Sequence, residues 1–185
     1  MWCFGSLRMF MDRAAEFSTW KMSQDVIWEK HNGTNPFNDR FRRVHEIIVH
    51  FYRGDWAKVT KTPQFTNDAT ARTVRRKARP PQWGDIGASS YVSDDGGPRL
   101  MRSVIYARSC HGMAIHPTQK PEEIIRPLLE YSVPNGGTVL DCFAGSGVVL
   151  LVARKTGRRA IGIEKSEQRC AAIVEQLAQD ELLVG

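Results

Sequence analysis

Residues 139–147, Val139-Leu140-Asp141-Cys142-Phe143-Ala144-Gly145-Ser146-Gly147, carry a short apolar run into a Gly-Ser-Gly turn, with a helical pattern directly behind it. Without β-carbons at Gly145 and Gly147 the backbone can turn tightly. A ligand can then reach the amino end of the following helix, where unpaired N–H groups point outward. Glu164 ends the next apolar run at Ile163-Glu164-Lys165. A carboxylate there can accept both hydroxyl protons of a ribose. The two features together predict a site for a ribose-bearing ligand. A dinucleotide would require Gly-x-Gly-x-x-Gly, whereas Leu150 stands three residues after Gly147 and bulky Val148 and Val149 intervene. The reading without chemistry is an αβ unit with a glycine helix start and an incidental surface Glu.

A second group is His116-Pro117-Thr118-Gln119-Lys120-Pro121. Thr118 and Gln119 offer hydroxyl and amide partners, Lys120 offers a cation for a carboxylate, and the two prolines stiffen the segment. A ligand-free helix-capping loop is the alternative. A third group is basic. Between Arg53 and Arg108 eleven Lys and Arg stand against five Asp, with the densest run at Arg75-Arg76-Lys77-Ala78-Arg79. Such a run either neutralises phosphates or is a solvated face.

The elements that must position these groups follow from periodicity. Residues 2–5 read as a buried strand and 7–17 as a helix, while 24–29 and 45–52 are β-branched and aromatic runs separated by the turn-rich His31-Asn32-Gly33-Thr34-Asn35-Pro36. From 54 to 108 periodicity fades, and Pro63, Pro80, Pro81, Gly84, Gly87, Gly96, Gly97 and Pro98 interrupt it. Within it Trp83 and Tyr91 are either base-stacking or core residues, and 94–99 reads as a turn. Regularity returns with a helix over 121–131, a strand over 138–141, a helix over 146–156, a strand over 160–164 and a helix from Glu167. This is a βαβα unit. Its strands are continuously apolar, as in a parallel sheet covered on both faces.

Length and composition bound the rest. A chain of 185 residues with 42% hydrophobic content suits one compact domain. It shows no run of about 18 apolar residues and no signal-peptide pattern, so neither a membrane span nor secretion is expected, and the location is expected to be cytoplasmic. Cys3, Cys110, Cys142 and Cys170 are scattered without metal-ligand spacing, and no metal is expected. A net charge of +6 with pI near 9.4 favours a polyanionic partner.

The Asp141–Gly147 run resembles the Asp-Pro-Phe-Ala-Gly-Ser-Gly cofactor motif of DNA amino-group methyltransferases, and His116–Pro121 matches that family's His-Pro-Thr-Gln-Lys-Pro segment. Their order is that of the circularly permuted class, and the resemblance extends across nearly all of residues 1–185. It implies S-adenosylmethionine as cofactor. Asp141, Phe143, Ala144, Gly145, Ser146, Gly147, Glu164 and Lys165 would surround it, with Phe143 packed against it and Glu164 on the ribose. His116, Thr118, Gln119 and Lys120 would line the same pocket. Cys142 departs from the family's Pro. The resemblance also implies methyl transfer to an exocyclic amino group of adenine or cytosine in double-stranded DNA, as in restriction-modification. Arg72, Arg75, Arg76, Lys77 and Arg79 would contact DNA in a target-recognition insertion over 54–108. Carbon-5 methylation needs a nucleophilic Cys after Pro, and no Pro-Cys pair occurs.

The family's Asp-Pro-Pro-Tyr-type catalytic tetrapeptide is absent, so no catalytic residue is assigned; Asn35-Pro36-Phe37 is only a partial look-alike. The fold expected is therefore α/β: a Rossmann-like methyltransferase sheet with helices on both faces, incomplete at its centre, plus an irregular basic insertion within one domain over 1–185. An amino-terminally truncated product is expected, whose upstream part is missing, separately encoded or supplied by another methyltransferase chain. A non-catalytic cofactor- or DNA-binding remnant, or a regulator of an intact enzyme, is the alternative function.

Overall fold

The computed structural model describes residues 1–34, 38–76, 88–110 and 119–184. It divides into two compact units, Met1–Thr62 with Ser103–Gly185, and Pro63–Arg102.

The chain opens with β1 (Trp2–Gly5) and α1 (Leu7–Asp12). Ser6 caps α1, its hydroxyl accepting from the Met9 N–H at 3.1 Å. The expected helix over 7–17 ends early, because the chain tightens into a 3-10 turn at Ala14–Phe17. That tightening stacks Phe17 on Phe51, ring centroids 4.6 Å apart. Next come β2 (Lys21–Thr34) and β3 (Arg43–Tyr52). The turn expected from His31 starts later, since β2 runs through Thr34, which pairs with Arg43. Gly33 makes this possible: a β-carbon there would lie 2.4 Å from the Arg43 carbonyl oxygen.

The second unit contains β4 (Phe65–Thr66), β5 (Arg72–Arg76), β6 (Ser89–Ser93) and β7 (Arg99–Leu100). Antiparallel pairs β4–β7 and β5–β6 organise it. Strands this short, set among prolines and glycines, leave no periodic signal in the sequence. The turn expected over 94–99 is present, closed by the Gly97 N–H on the Asp94 carbonyl at 3.1 Å.

The first unit resumes with β8 (Val104–Tyr106), α2 (Glu122–Ser132), β9 (Thr138–Asp141), α3 (Val148–Lys155), β10 (Arg159–Gly162) and α4 (Glu167–Val184). Its strands form a four-stranded sheet in the order β1-β3-β2-β8 and a separate parallel pair, β10-β9. Helix α2 serves both. Ile124 and Leu128 join Val26, Trp28 and Ile48 in one core, while Ile125 and Leu129 join Val148, Val152 and Ala153 in the other. Residues i, i+1, i+4 and i+5 give a helix two adjacent apolar stripes, and these two stripes meet the two cores. Phe4 of β1 packs against both.

Two expectations change here. Val139 and Ala160 face the helical core, but among the described residues the other face of the β9–β10 pair is uncovered, with Leu140 57% and Ile161 56% exposed. The second strand also stops at Gly162, so Glu164 lies beyond it rather than at its end. A β-carbon at Gly162 would meet Leu150 of α3 at 2.8 Å, so the glycine admits the helix to the strand.

Candidate functional site

Strand β9 delivers the glycine turn. After Asp141 the chain loops back on β10: the Ile163 N–H donates to the Asp141 carbonyl at 2.8 Å, and the Ala144 N–H to the Ile163 carbonyl at 2.9 Å. The Asp141 carboxylate accepts from the Phe143 N–H at 3.1 Å, holding the start of the loop. Gly145 and Gly147 have φ of 54° and 75°, the left-handed region that side chains resist. The expected helix start at Ser146 moves to Val148, because Gly147 in that conformation is the residue before the first helical turn. A β-carbon on Gly147 would also lie 2.9 Å from Ile173 of α4.

Glu164 closes the site. One carboxylate oxygen accepts from the Gly145 N–H and the other from the Ser166 N–H, both at 2.9 Å. The Arg169 guanidinium stands 3.7 Å away, and the Glu164 side chain is 10% exposed. The Ser166 N–H hydrogen bond outweighs burial, which pushes the other way, and with the Gly145 N–H, the charge of Arg169 and the nearby Lys165 backbone it holds this carboxyl below the usual glutamate range. An ionised carboxylate has about four lone-pair positions, so two backbone donors leave room for two hydroxyl donors. Ala144 and Ser146 are buried within the turn. Phe143 is the opposite: its ring is 91% exposed, a flat apolar surface beside the turn. Lys165 and Cys142 are exposed at the rim.

The structure thus brings together Asp141, Phe143, Ala144, Gly145, Ser146, Gly147, Glu164 and Lys165. His116 and Thr118 lie outside the described residues, and Gln119 is half-buried. Lys120 is held by Glu46 of β3, at 3.0 Å from Nζ to Oε1. The other Glu46 oxygen takes Lys30 of β2 at 3.0 Å. Both ammonium groups lie over Trp28, at 4.3 Å for Lys30 and 5.6 Å for Lys120. Burial pushes the Glu46 carboxyl up, but the two lysines outweigh it and the net shift is downward.

Of the basic candidates, Arg72 and Arg75 are exposed on β5, Arg76 ends that strand, and Lys77 and Arg79 lie outside the described residues, as do Asn35-Pro36-Phe37 and Trp83. Sequence reasoning missed Ser166, Arg169, Lys30 and Glu46. Ser166 carried a signal, a Ser directly before the last helix, where it caps the Arg169 N–H at 3.4 Å. Lys30 and Glu46 carried none, because they meet Lys120 only through tertiary pairing.

The fold and site are those of an α/β protein in which a parallel β–α–β unit carries a left-handed glycine turn with a half-buried carboxylate at its mouth. The N6_N4_Mtase family model, described as DNA methylase, matches residues 1–175, and the chain belongs to that family. It is 31% identical over 159 residues to the type II methyltransferase M.XycI of Xanthomonas campestris pv. cyanopsidis, covering 85% of this chain and 45% of that protein. With the type II methyltransferase M.Cfr9I of Citrobacter freundii it shares 28% over 163 residues, covering 88% and 46%. The chain therefore spans about half the length of the curated relatives it matches. Among solved structures, the M1.HpyAVI–SAM complex superposes with a TM-score of 0.61 at 21% identity, over 96% of this chain and 73% of that one. The cytosine-N4-specific PvuII DNA methyltransferase gives 0.58 at 14%, over 90% and 55%. At these identities the likeness is one of fold.

Proposed function

We propose that the chain is the cofactor-holding part of a DNA methyltransferase that moves a methyl group from S-adenosylmethionine to an exocyclic amino group of adenine or cytosine. The observation that carries this is the Glu164 carboxylate, fixed by the Gly145 and Ser166 N–H groups. Its two remaining lone-pair positions suit the two hydroxyls of a ribose, and the exposed Phe143 ring suits a flat base. Family membership supplies the acceptor class. When bound, S-adenosylmethionine supplies an electrophilic methyl group on a sulfonium. This chain's residues hold and orient it: Gly145 and Gly147 keep the loop free of side chains, Glu164 takes the ribose and Phe143 covers the base. Gln119 and Lys120, with His116 and Thr118, are assigned to the same pocket by their family motif. No catalytic group is assigned.

The sheet is read as incomplete at its centre. Strand β1 pairs only with β3 and β9 only with β10 among the described residues, and α2 spans both sheets. A further strand between β1 and β9 would satisfy both edges, each unpaired buried group otherwise costing about 1–3 kcal/mol. An upstream segment of a longer polypeptide, about half the length of the relatives, is the proposed source. The basic unit, within the region 54–108, is assigned to duplex DNA, with Arg72, Arg75, Arg76, Lys77 and Arg79 as its contacts.

Incubation with duplex DNA and S-adenosylmethionine labelled in its methyl group tests the acceptor. Label in N6-methyladenine or N4-methylcytosine after digestion supports the reading. Label in 5-methylcytosine contradicts it.

A further inference from the structure

We propose that the β5–β6 ribbon reads base edges in the major groove of duplex DNA through the face bearing Thr73, Arg75, Ser90 and Val92, while Arg72 on the opposite face meets phosphate. This rests on the DNA reading above. The register fixes the faces: Thr73 lies opposite Val92 and Arg75 opposite Ser90, whereas Arg72 lies opposite Ser93 and Val74 opposite Tyr91. Directly opposed residues share a side of the ribbon, and neighbours along a strand alternate.

The two faces are built differently. On the Arg72 side Val74 is half-buried, the Arg72 guanidinium donates to the Tyr91 hydroxyl at 3.4 Å, and the Ser93 hydroxyl donates to the Thr70 carbonyl at 2.7 Å. That side is tied into its own unit. On the other side all four residues are exposed, and Val92 presents 72% of its surface. Charge names the occupant. Neither strand, Arg-Thr-Val-Arg-Arg or Ser-Ser-Tyr-Val-Ser, contains a carboxylate. Arg99 in the same unit is by contrast neutralised by Asp68, with Nε to Oδ1 at 2.7 Å.

Arg75, which no carboxylate meets among the described residues, stands beside a hydroxyl and two methyl-bearing side chains and so fits base edges. The guanidinium fork matches the O6 and N7 acceptors of guanine, and valine and threonine methyls pack on the thymine methyl. A two-stranded antiparallel ribbon has the width of the B-form major groove, and side chains cannot read the deep, narrow major groove of A-form RNA.

The test uses the full chain and a pool of duplexes with a randomised centre, sequencing the bound fraction for wild type, Arg75→Ala, Val92→Ser and Arg72→Ala. S-adenosylmethionine binding, measured on each variant, confirms that the fold is kept. Wild type is expected to enrich a short motif. Arg75→Ala should flatten preference at one or two adjacent positions by about tenfold or more, with overall affinity for the pool nearly kept. Val92→Ser should relax a neighbouring position. Arg72→Ala should weaken all duplexes alike and reduce the slope of log K against log salt by about 0.9. Retention of the wild-type motif by both Arg75→Ala and Val92→Ser overturns the assignment of this face. Equal competition by duplex RNA overturns it too. A wild-type chain that binds no duplex overturns the DNA reading itself.

Discussion

Glu164 was legible in the sequence as an acidic residue closing an apolar run, but its function depends on what the sequence hides. Two backbone N–H groups, from 19 residues upstream and two residues downstream, aim its carboxylate. Because its folded pKa is lowered, the ionised form persists as the pH falls, and its contribution is lost only below the ordinary glutamate value of 4.5. Cofactor affinity should therefore be flat between pH 7 and about 5.5, checked by titration in matched buffers. The two glycines were legible by type. Gly147→Ala should destabilise the fold by about 2 kcal/mol in urea unfolding, since it combines a φ of 75° with a β-carbon 2.9 Å from Ile173. His50 was not legible as anything but a strand residue. It is 2% exposed among Trp2, Trp56 and Tyr131, with Nδ1 2.6 Å from the Ser23 hydroxyl. Burial lowers its pKa from 6.5 to about 4. The neutral ring is the one the fold accommodates, so its contribution is complete above pH 6.5 and is lost as the pH falls toward 4. After allowance for partial solvation, that loss is of order 2–3 kcal/mol. Unfolding midpoints at pH 7.5 and 4.5 should show it in wild type, and His50→Leu should reduce the difference.

At the scale of elements, the order of the βαβα half could be read, with α3 and β10 each misplaced by one or two residues at their ends. Strand β9 was expected over its observed bounds, and α2 and α4 within a residue or so. Continuous apolar runs and a glycine turn are local signals, and local signals survive in a sequence. The four short strands of the basic unit were missed for the opposite reason, since pairs of two to five residues are set by tertiary register. The Lys30–Glu46–Lys120 bridge belongs to the same class. It ties the segment entering α2 to β2 and β3, with Glu46 only 16% exposed. Glu46→Gln would leave two half-buried ammonium groups facing each other over Trp28. A loss of about 2 kcal/mol is expected in thermal or urea unfolding, and Lys120→Met in that background should recover part of it. Independent, additive effects of the two substitutions would contradict the bridge.

For the molecule as a whole, two observations converge. The chain matches about half the length of its curated relatives, and its described strands form a four-stranded sheet and a two-stranded one that share a single covering helix. The expectation of a sheet incomplete at its centre came from the family resemblance alone, because an unpaired edge leaves no pattern of its own. The side of β9 and β10 that is uncovered among the described residues was hidden as well: Leu140 and Ile161 are apolar residues in short strands, which reads the same whether one face or both are covered. No helix among the described residues is long and apolar enough to cross a membrane.

The turn and Glu164 are proposed to form an S-adenosylmethionine site. Calorimetric titration of the purified chain, with Gly145→Leu and Glu164→Ala beside it, tests this most directly. Losing the charged acceptor of two ribose hydroxyls removes about 2–3 kcal/mol, or roughly 30- to 150-fold in affinity. Saturable binding by wild type is expected, weakened by that factor in Glu164→Ala and abolished in Gly145→Leu. Binding that both variants keep unchanged, or its absence in a folded wild-type chain, would contradict it.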